Sequence, residues 1–181
     1  YIGHSTFLIE SPQLVRIATD DNDYVRPPLV PDIVTMNKAH STHFTLSPDP
    51  GLKLVLRGWS EHGKPAAHDQ TYRDVRVRSV ATNIRTWEGG GTERHGNSIF
   101  IFEVGALCIA HLGHLHHTLT QPQLNEIGRI DVVLVPVDGT YYLGAGPREK
   151  PENQETRYQL SECMSCGCCL EACPQFNLEQ D

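Results

Sequence analysis

Short apolar runs separated by turn-forming residues recur through most of the chain, and this spacing is typical of β-strands. Two runs that flank Gly105 predict a hairpin, and the run 130–137 predicts a buried strand. Between the hairpin and that strand, Thr120, Pro122 and Gly128 mark the start and the end of one short helix. Strands with short helices and many loops predict a layered α/β (α+β) domain. The other predicted strands are 6–9, 14–18, 33–35, 52–56 and 75–80.

Length and charge limit the classes of protein to which the chain can belong. Its 181 residues provide room for one ordinary domain and a small appendage. A net charge of -7 argues against general affinity for nucleic acid. Apolar runs such as 99–102 and 132–135 are far too short to cross a bilayer, and the lone Cys108 is typical of a buried thiol in a reducing compartment. We therefore expect a cytoplasmic protein that has no membrane span and binds no nucleic acid.

Five of the six cysteines lie between positions 163 and 173, and four of them follow the spacing CxxCxxCxxxCP. Thiolates at this spacing on a tight turn can reach the irons of one cluster. The pattern predicts a 4Fe-4S cluster, with a four-cysteine zinc knuckle or a set of disulfides as open alternatives. Cys168 would then be the spare cysteine. The predicted cluster ligands are Cys163, Cys166, Cys169 and Cys173.

Histidines are also grouped, in two places where an apolar run ends. His40 and His43 follow one run, and His111 and His114 follow another. Imidazoles three positions apart on a turn after a strand can converge on one cation, because the strand fixes their direction and the loop exposes the nitrogens. The two groups predict a metal site that zinc would accept. Surface histidines without a ligand are the alternative interpretation.

Four stretches of the chain carry a recognisable order of motifs: YIGHSTFLIE, VTMNKAHSTH, ERHGNSIFIFEVGALCIAHLGHLHH and DVVLVPVDGTYYL. Together they resemble the metallo-β-lactamase superfamily, in particular its lactonase-like metal-dependent hydrolases, over residues 1 to about 144. The resemblance implies an αββα sandwich whose metal ligands lie on loops at one sheet edge. It also implies that one or two ions of zinc, manganese or iron activate water to hydrolyse a small-molecule ester, lactone, amide or phosphoester.

The same stretches depart from the family pattern at its metal ligands. The family signature HxHxDH corresponds to residues 38–43, where Lys38 replaces a histidine and Thr42 replaces the aspartate. His114 stands where the resemblance implies a bridging aspartate. The last ligand histidine of the family has no counterpart, so the sandwich is expected to be truncated at its last strand. The resemblance therefore implies a degenerate metal site, for which the remaining imidazoles are His40, His43, His111 and His114.

Two further residues, His4 and Glu88, approach the pocket by the same resemblance. His4 is a candidate catalytic residue. Lys38 is a candidate oxyanion stabiliser, because it lies between the end of a strand and His40. Glu88 could serve as a substitute oxygen ligand or as a base, although a solvated carboxylate beside a run of glycines is the simpler interpretation.

The segment RYQLSECMSCGCCLEACPQFN is similar to the iron-sulfur subunit of succinate dehydrogenase and fumarate reductase, over residues 151 to about 178. The similarity implies that Cys163, Cys166 and Cys169 bind a four-iron cluster together with a more distant cysteine, and that Cys173 serves a neighbouring three-iron cluster. The distant cysteines do not occur in this chain. Redox-complex subunits are the partners that this segment implies.

The two resemblances divide the chain into three predicted parts. These are a metallo-β-lactamase-like domain at 1–144, a linker at 145–160 and an iron-sulfur-type cysteine segment at 161–181. A metal-dependent hydrolase is the function expected from the larger part. An iron-sulfur electron-transfer subunit is the alternative, and a non-catalytic scaffold that binds a partner is the third.

Overall fold

The computed structural model describes residues 1–59, 62–86 and 91–136, in which two β-sheets pack face to face. The strands of the first sheet are Leu8–Glu10 (β1), Arg16–Ala18 (β2), Ile33–Met36 (β3) and Leu54–Arg57 (β4). Those of the second are Asp69–Tyr72 (β5), Val75–Arg85 (β6), Thr92–Val104 (β7), Leu107–His111 (β8) and Val132–Leu134 (β9). Within each sheet the strands lie side by side in chain order.

Strand direction decides which loops meet at one edge of the sandwich. In the first sheet, β2, β3 and β4 run parallel, while β1 runs antiparallel to β2. The segments that follow β2 and β3 therefore lie at the same edge as the segment that precedes β1. In the second sheet, β5 to β8 are antiparallel neighbours and β9 runs parallel to β8. The end of β8 reaches the same edge, since His111 lies near Asp20.

Alternating side chains build the core between the sheets. In β6, Val75 and Val77 are buried while Arg76 and Arg78 lie on the opposite face, as the two-residue period of a strand requires. Burying each large apolar side chain stabilises the fold by about 1.5–3 kcal/mol. The core residues are Val15, Ile17, Ile33, Leu56, Val75, Val77, Phe100, Phe102, Val104, Ile109 and Leu134.

Helix α1, Gln121–Ile127, packs on the outer face of the second sheet. The backbone N–H of Thr120 donates to Oε1 of Gln123 at 3.0 Å, and this bond stabilises the first turn. Gly128 ends the helix with a φ of 72°, which glycine adopts without steric cost. The guanidinium of Arg78 donates to two carbonyls of the last turn and satisfies acceptors that the helix leaves open.

The predicted layered α/β sandwich is confirmed, with two mixed sheets and one helix among the described residues. The short helix and the hairpin at Gly105 are present as predicted. Strand β5 was not predicted, because its sequence Asp-Gln-Thr-Tyr contains no apolar run and its pairing with β6 holds it in place. The predicted strand 130–137 contains the shorter strand β9.

The three predicted parts of the chain stay predictions, because their boundaries fall outside the described residues. The cysteine segment 161–181 lies there too. In the part of the chain that the structure describes, there is no helix of sufficient length and apolar character to cross a membrane.

Candidate functional site

Several chain segments place polar side chains at the edge where β2, β3 and β8 end. Asp20 follows β2 by two residues, and the turn after β3 carries two histidines. One histidine precedes β1, one is the last residue of β8, and one lies in the loop that follows β8. The histidine cluster consists of His4, His40, His43, His111 and His114. The structure therefore gathers every histidine that the sequence singled out as a ligand or a catalytic residue.

A buried hydrogen bond between a histidine and an aspartate lies at the centre of this edge. Nδ1 of His43 lies 2.5 Å from Oδ2 of Asp20, and the side chains are 1% and 0% exposed. An ionised carboxylate can only accept, so the Nδ1–H of His43 is the donor. Nε2 of His43 then carries the lone pair, and this atom is buried without a hydrogen-bond partner in the described part of the chain.

Asp20 is ionised despite its complete burial. Burial alone would raise the pKa of its carboxyl, but the neighbouring His111 ring and the hydrogen bonds from His43 and Asn37 outweigh it, and the pKa lies below its usual value. Asp20 was not among the site residues predicted from the sequence. A signal was present, because Asp20 follows an apolar run as closely as the grouped histidines do.

His111 is fully buried behind this pair. Its Nε2 lies 3.9 Å from Oδ2 of Asp20, and its ring meets the ring of Phe7 edge-on at 5.8 Å. Neither ring nitrogen makes a well-formed hydrogen bond to any described residue. Burial lowers the pKa of His111 below its usual value, with Asp20 and the Ser5 backbone opposing that shift and His43 adding to it. The ring is therefore neutral and can offer a nitrogen lone pair.

His4, His40 and His114 form the half-buried side of the cluster. Ring centroids of His40 and His114 lie 4.9 Å apart, and those of His43 and His114 lie 5.4 Å apart. The ring of His4 lies 5.3 Å from that of His43, and its Nε2 forms a 3.0 Å hydrogen bond with Oγ1 of Thr42. Thr42, which stands where the family has an aspartate, thus contacts the cluster through a hydroxyl.

The distances between the histidine rings fit ligation of one metal ion, but the orientations of the rings do not. Two imidazoles bound to one tetrahedral zinc ion at about 2.0 Å have ring centroids about 5 Å apart. The observed separations of 4.9, 5.4 and 6.0 Å bracket that spacing. Nevertheless, no three histidine, cysteine, aspartate or glutamate side chains in residues 1–59, 62–86 and 91–136 are arranged so that they could hold an ion. Binding would require the half-buried rings to rotate about their side-chain torsions.

Asn37 ties the cluster to both sheets. Its Nδ2 donates to Oδ1 of Asp20 at 3.1 Å, and its Oδ1 accepts from the backbone N–H of Ser98 in β7 at 2.8 Å. Its own backbone N–H donates to the carbonyl of His43 at 3.1 Å. The side-chain amide donates through its nitrogen and accepts through its oxygen, and together with the backbone bond it fixes the Asp20 carboxylate and the His43 turn. Asn37 was also not among the site residues predicted from the sequence.

A glycine allows the loop after β8 to approach Asn37. A Cβ atom on Gly113 would lie 2.3 Å from Nδ2 of Asn37 and 2.4 Å from Oδ1 of Asn97. That Asn97 oxygen accepts the backbone N–H of His114 at 2.7 Å. Gly113 also has a φ of 57°, a conformation that side chains disfavour. The position of His114 thus depends on close packing at the preceding residue.

The last two histidines of the HLGHLHH stretch have a structural role. Nε2 of His117 accepts the backbone N–H of Asn83, and Nδ1 of His116 bonds to the carbonyl of Asn83. Asn83 lies at a bulge in β6, where the ladder to β7 shifts register. The two imidazoles replace the ladder bonds that a regular strand would supply.

The remaining predicted site residues have different outcomes. Nζ of Lys38 lies 2.5 Å from Oε1 of Glu93, and their side chains are 46% and 38% exposed. Its role in oxyanion stabilisation stays a prediction, as does the catalytic role of His4. Glu88 and the four predicted cluster ligands, Cys163, Cys166, Cys169 and Cys173, lie outside the described residues.

Comparison with known proteins gives two kinds of match for the larger part of the chain. The family model of the beta-lactamase superfamily domain matches residues 1–148. A solved structure from Thermotoga maritima, described as a Zn-dependent hydrolase of the metallo-beta-lactamase superfamily, is 32% identical with a TM-score of 0.52. The match covers 78% of this chain and 61% of that one. A second structure, described as a metal-dependent hydrolase from Parabacteroides distasonis, is 16% identical with a TM-score of 0.52. This match covers 74% of this chain and 66% of that one, and at this identity it supports the fold alone.

A short stretch of the chain is similar to a different protein. Over 43 residues, it is 56% identical to the succinate dehydrogenase iron-sulfur subunit of Bacillus subtilis (strain 168). This match covers 24% of the chain and 17% of the relative. The chain thus spans less than two thirds of the length of each of these three relatives.

Proposed function

The chain belongs to the beta-lactamase superfamily, and from this premise we propose that it is a metal-dependent hydrolase with a degenerate metal site. The proposed substrates are small molecules with an ester, lactone, amide or phosphoester bond. The observation that carries the proposal is the buried Nε2 of His43, which the Asp20 bond leaves with an unused lone pair beside three other imidazoles.

The chemistry of this donor set suits a divalent ion. A carboxylate that accepts the second N–H of an imidazole fixes the ring and makes its other nitrogen a better ligand. His40, His43 and His114 would hold the ion, with His111 as a neutral ring immediately behind them. Imidazole ligands without a carboxylate favour zinc over harder ions such as magnesium, while manganese and iron are weaker candidates. When bound, such an ion would supply Lewis-acid activation of water and of the substrate.

The protein's own groups have distinct proposed roles around that ion. Asp20 keeps the proton on Nδ1 of His43, so that Nε2 stays available. His4 is oriented by the hydroxyl of Thr42 and could hold or release a proton at the half-buried side of the site. Lys38 would stabilise the developing negative charge of the substrate after exchanging its contact with Glu93 for one with the substrate.

Metal analysis of the purified 181-residue chain tests the proposal. We expect close to one equivalent of zinc, which His40→Ala and His114→Ala should each release, because both rings are half-buried and tolerate truncation. His62→Ala is the matched control, since that histidine is exposed and lies outside the cluster. Retention of the metal in both cluster variants, or its equal loss in the control, would remove the proposed site. Ester and phosphoester turnover that depends on the same two histidines would support the reaction class.

An iron-sulfur electron-transfer subunit is the second candidate, favoured by the 56% identity to the Bacillus subtilis subunit. In this proposal Cys163, Cys166, Cys169 and Cys173 bind a 4Fe-4S cluster and subunits of a redox complex are the partners. Anaerobically purified protein should then be brown, contain acid-labile sulfide and bleach with dithionite. A colourless preparation without sulfide would exclude this candidate and leave the zinc measurement unaffected.

A further inference from the structure

A cavity of about 420 Å³ lies beside the bulge in β6. We call it the bulge cavity. Residues of β6, β7 and the segment that enters α1 surround it. They are Ala81, Asn83, Arg94, His95, His117, Thr120 and Gln123.

The cavity is shaped by irregular backbone at two facing positions. The register between β6 and β7 shifts at Asn83, whose side-chain Oδ1 accepts the backbone N–H of His95 at 3.2 Å. His95 has a φ of 59°, a conformation that costs a non-glycine residue about 1–2 kcal/mol. Bulges and strained residues of this kind concentrate at binding sites, where they redirect side chains.

The charge of the lining is positive in a protein that is negative overall. Arg94 is exposed and has no ion pair or hydrogen bond among the described residues, and the described residues of the cavity lining include no aspartate or glutamate. The net charge of the whole chain is -7. A permanent guanidinium at a small cavity attracts anions and repels cations.

Most of the other polar groups around the cavity already have partners. His117 accepts from the Asn83 N–H through Nε2 and contacts the Thr118 carbonyl through Nδ1. The amide of Gln123 donates to the carbonyl of Ala81. By contrast, Nδ1 of His95 is buried and makes no hydrogen bond within the described ranges. Arg94 is therefore the exposed group with capacity for a ligand, and the buried Nδ1 of His95 is a further polar atom of the lining without a described partner.

We propose that the bulge cavity binds the anionic group, carboxylate or phosphate, of a small molecule. A guanidinium can donate two parallel hydrogen bonds to either group, and His95 lies beside it on the same strand. This inference does not depend on the proposed metal site, because none of the cavity residues belongs to the histidine cluster.

Titration of the 181-residue chain with inorganic phosphate, acetate and the neutral control N-methylacetamide tests the inference. Backbone amide NMR signals around Asn83, Arg94 and His95 should shift with phosphate or acetate and not with the neutral compound. Arg94→Gln should weaken binding by about tenfold or more, and Arg94→Lys should restore part of it. Arg73→Gln is the matched control, because Arg73 is exposed at the β5–β6 turn and does not line the cavity.

A second variant separates this site from an ion at the histidine cluster. Phosphate that binds a metal would shift signals at 38–43 and 111–114, and His40→Ala would abolish those shifts. Binding in the bulge cavity should persist unchanged in His40→Ala. Equal weakening in Arg94→Gln and Arg73→Gln, or shifts confined to the histidine loops, would overturn the inference. A stronger response to phosphate than to acetate, or the reverse, identifies which anionic group the cavity prefers.

Discussion

Nδ1 of His43 lies 2.5 Å from Oδ2 of Asp20, and both side chains are shielded from water. This one contact determines the tautomer of the imidazole and the atom that it offers to a ligand. It also joins two strands, because Asp20 follows β2 and His43 follows β3. The parallel direction of these strands is what brings the two residues to the same edge.

The first prediction follows from that contact. Asp20→Asn should lower the zinc affinity of the protein by about 10- to 100-fold, because an amide does not hold the proton on Nδ1 of His43 as a carboxylate does, and Nε2 is then a poorer metal ligand. Calorimetric titration with zinc, after removal of metal with a chelator, measures the change. Asp69→Asn is the control, since Asp69 is an exposed carboxylate on β5. Equal affinities for the wild type and Asp20→Asn would mean that Asp20 does not orient a ligand.

The sequence predicted the histidine cluster better than the residues that hold it. His40, His43, His111 and His114 stood out because histidine is rare and each pair follows an apolar run. Asp20 lies in an acidic stretch and Asn37 in a polar one, where a solvated side chain is the ordinary expectation. Their burial follows from strand order in two sheets, and local pattern carries no information about contacts between residues so far apart in the chain.

Strand β5 and the bulge at Asn83 could not be predicted for a related reason. The β5 sequence is exposed on three of its four positions and has no apolar face to mark it as a strand. The bulge depends on His116 and His117, more than thirty residues further along the chain, which bond to the Asn83 backbone. The helix was predictable because its start and stop signals are local.

The second prediction concerns Asn37. In Asn37→Asp, a carboxylate would face the Asp20 carboxylate at the position of a 3.1 Å hydrogen bond, and both groups are buried. We expect a loss of about 3–5 kcal/mol in the free energy of unfolding at neutral pH, together with weaker zinc binding. Urea denaturation measures the stability. Asn125→Asp, at an exposed position of the helix, should change the free energy of unfolding by less than about 0.5 kcal/mol. A similarly small effect of Asn37→Asp would contradict the assigned hydrogen-bond network.

The third prediction compares two glycines with similar backbone conformations. Gly113 and Gly63 have φ values of 57° and 69°, but a Cβ atom would collide with Asn37 and Asn97 only at Gly113. Gly63→Ala should therefore cost about 1 kcal/mol for the backbone conformation alone. Gly113→Ala should cost about 2–4 kcal/mol because buried side chains must also move. Thermal unfolding, monitored by circular dichroism, measures the stability of both variants. Equal losses of stability in the two variants would show that the loop does not pack as described.

The fourth prediction uses the raised pKa of Asp21. Burial raises the pKa of this carboxyl, with Asp23 and Asp49 adding to the effect and Arg26 opposing it. A carboxyl with a raised pKa binds its proton more readily in the folded state, so its ionisation destabilises the fold. This destabilisation develops as the pH rises through the pKa of the folded state. Asp21→Asn should therefore raise the melting temperature at pH 7 and have little effect below about pH 3.9. Asp69→Asn should do the opposite at pH 7, because the hydrogen bond from Arg76 lowers the pKa of Asp69.

The fifth prediction separates a catalytic role of Lys38 from a structural one. The Lys38–Glu93 pair is partly exposed, and such pairs contribute only about 0–1 kcal/mol to stability. Lys38→Met should therefore leave the melting temperature nearly unchanged. If the ammonium stabilises the oxyanion, kcat should fall by about 100-fold or more with a model ester, since this charge acts mainly in the transition state. Glu93→Gln keeps the Lys38 ammonium and removes only the carboxylate that pairs with it, so this variant should retain activity. Unchanged turnover in Lys38→Met would exclude Lys38 from the reaction.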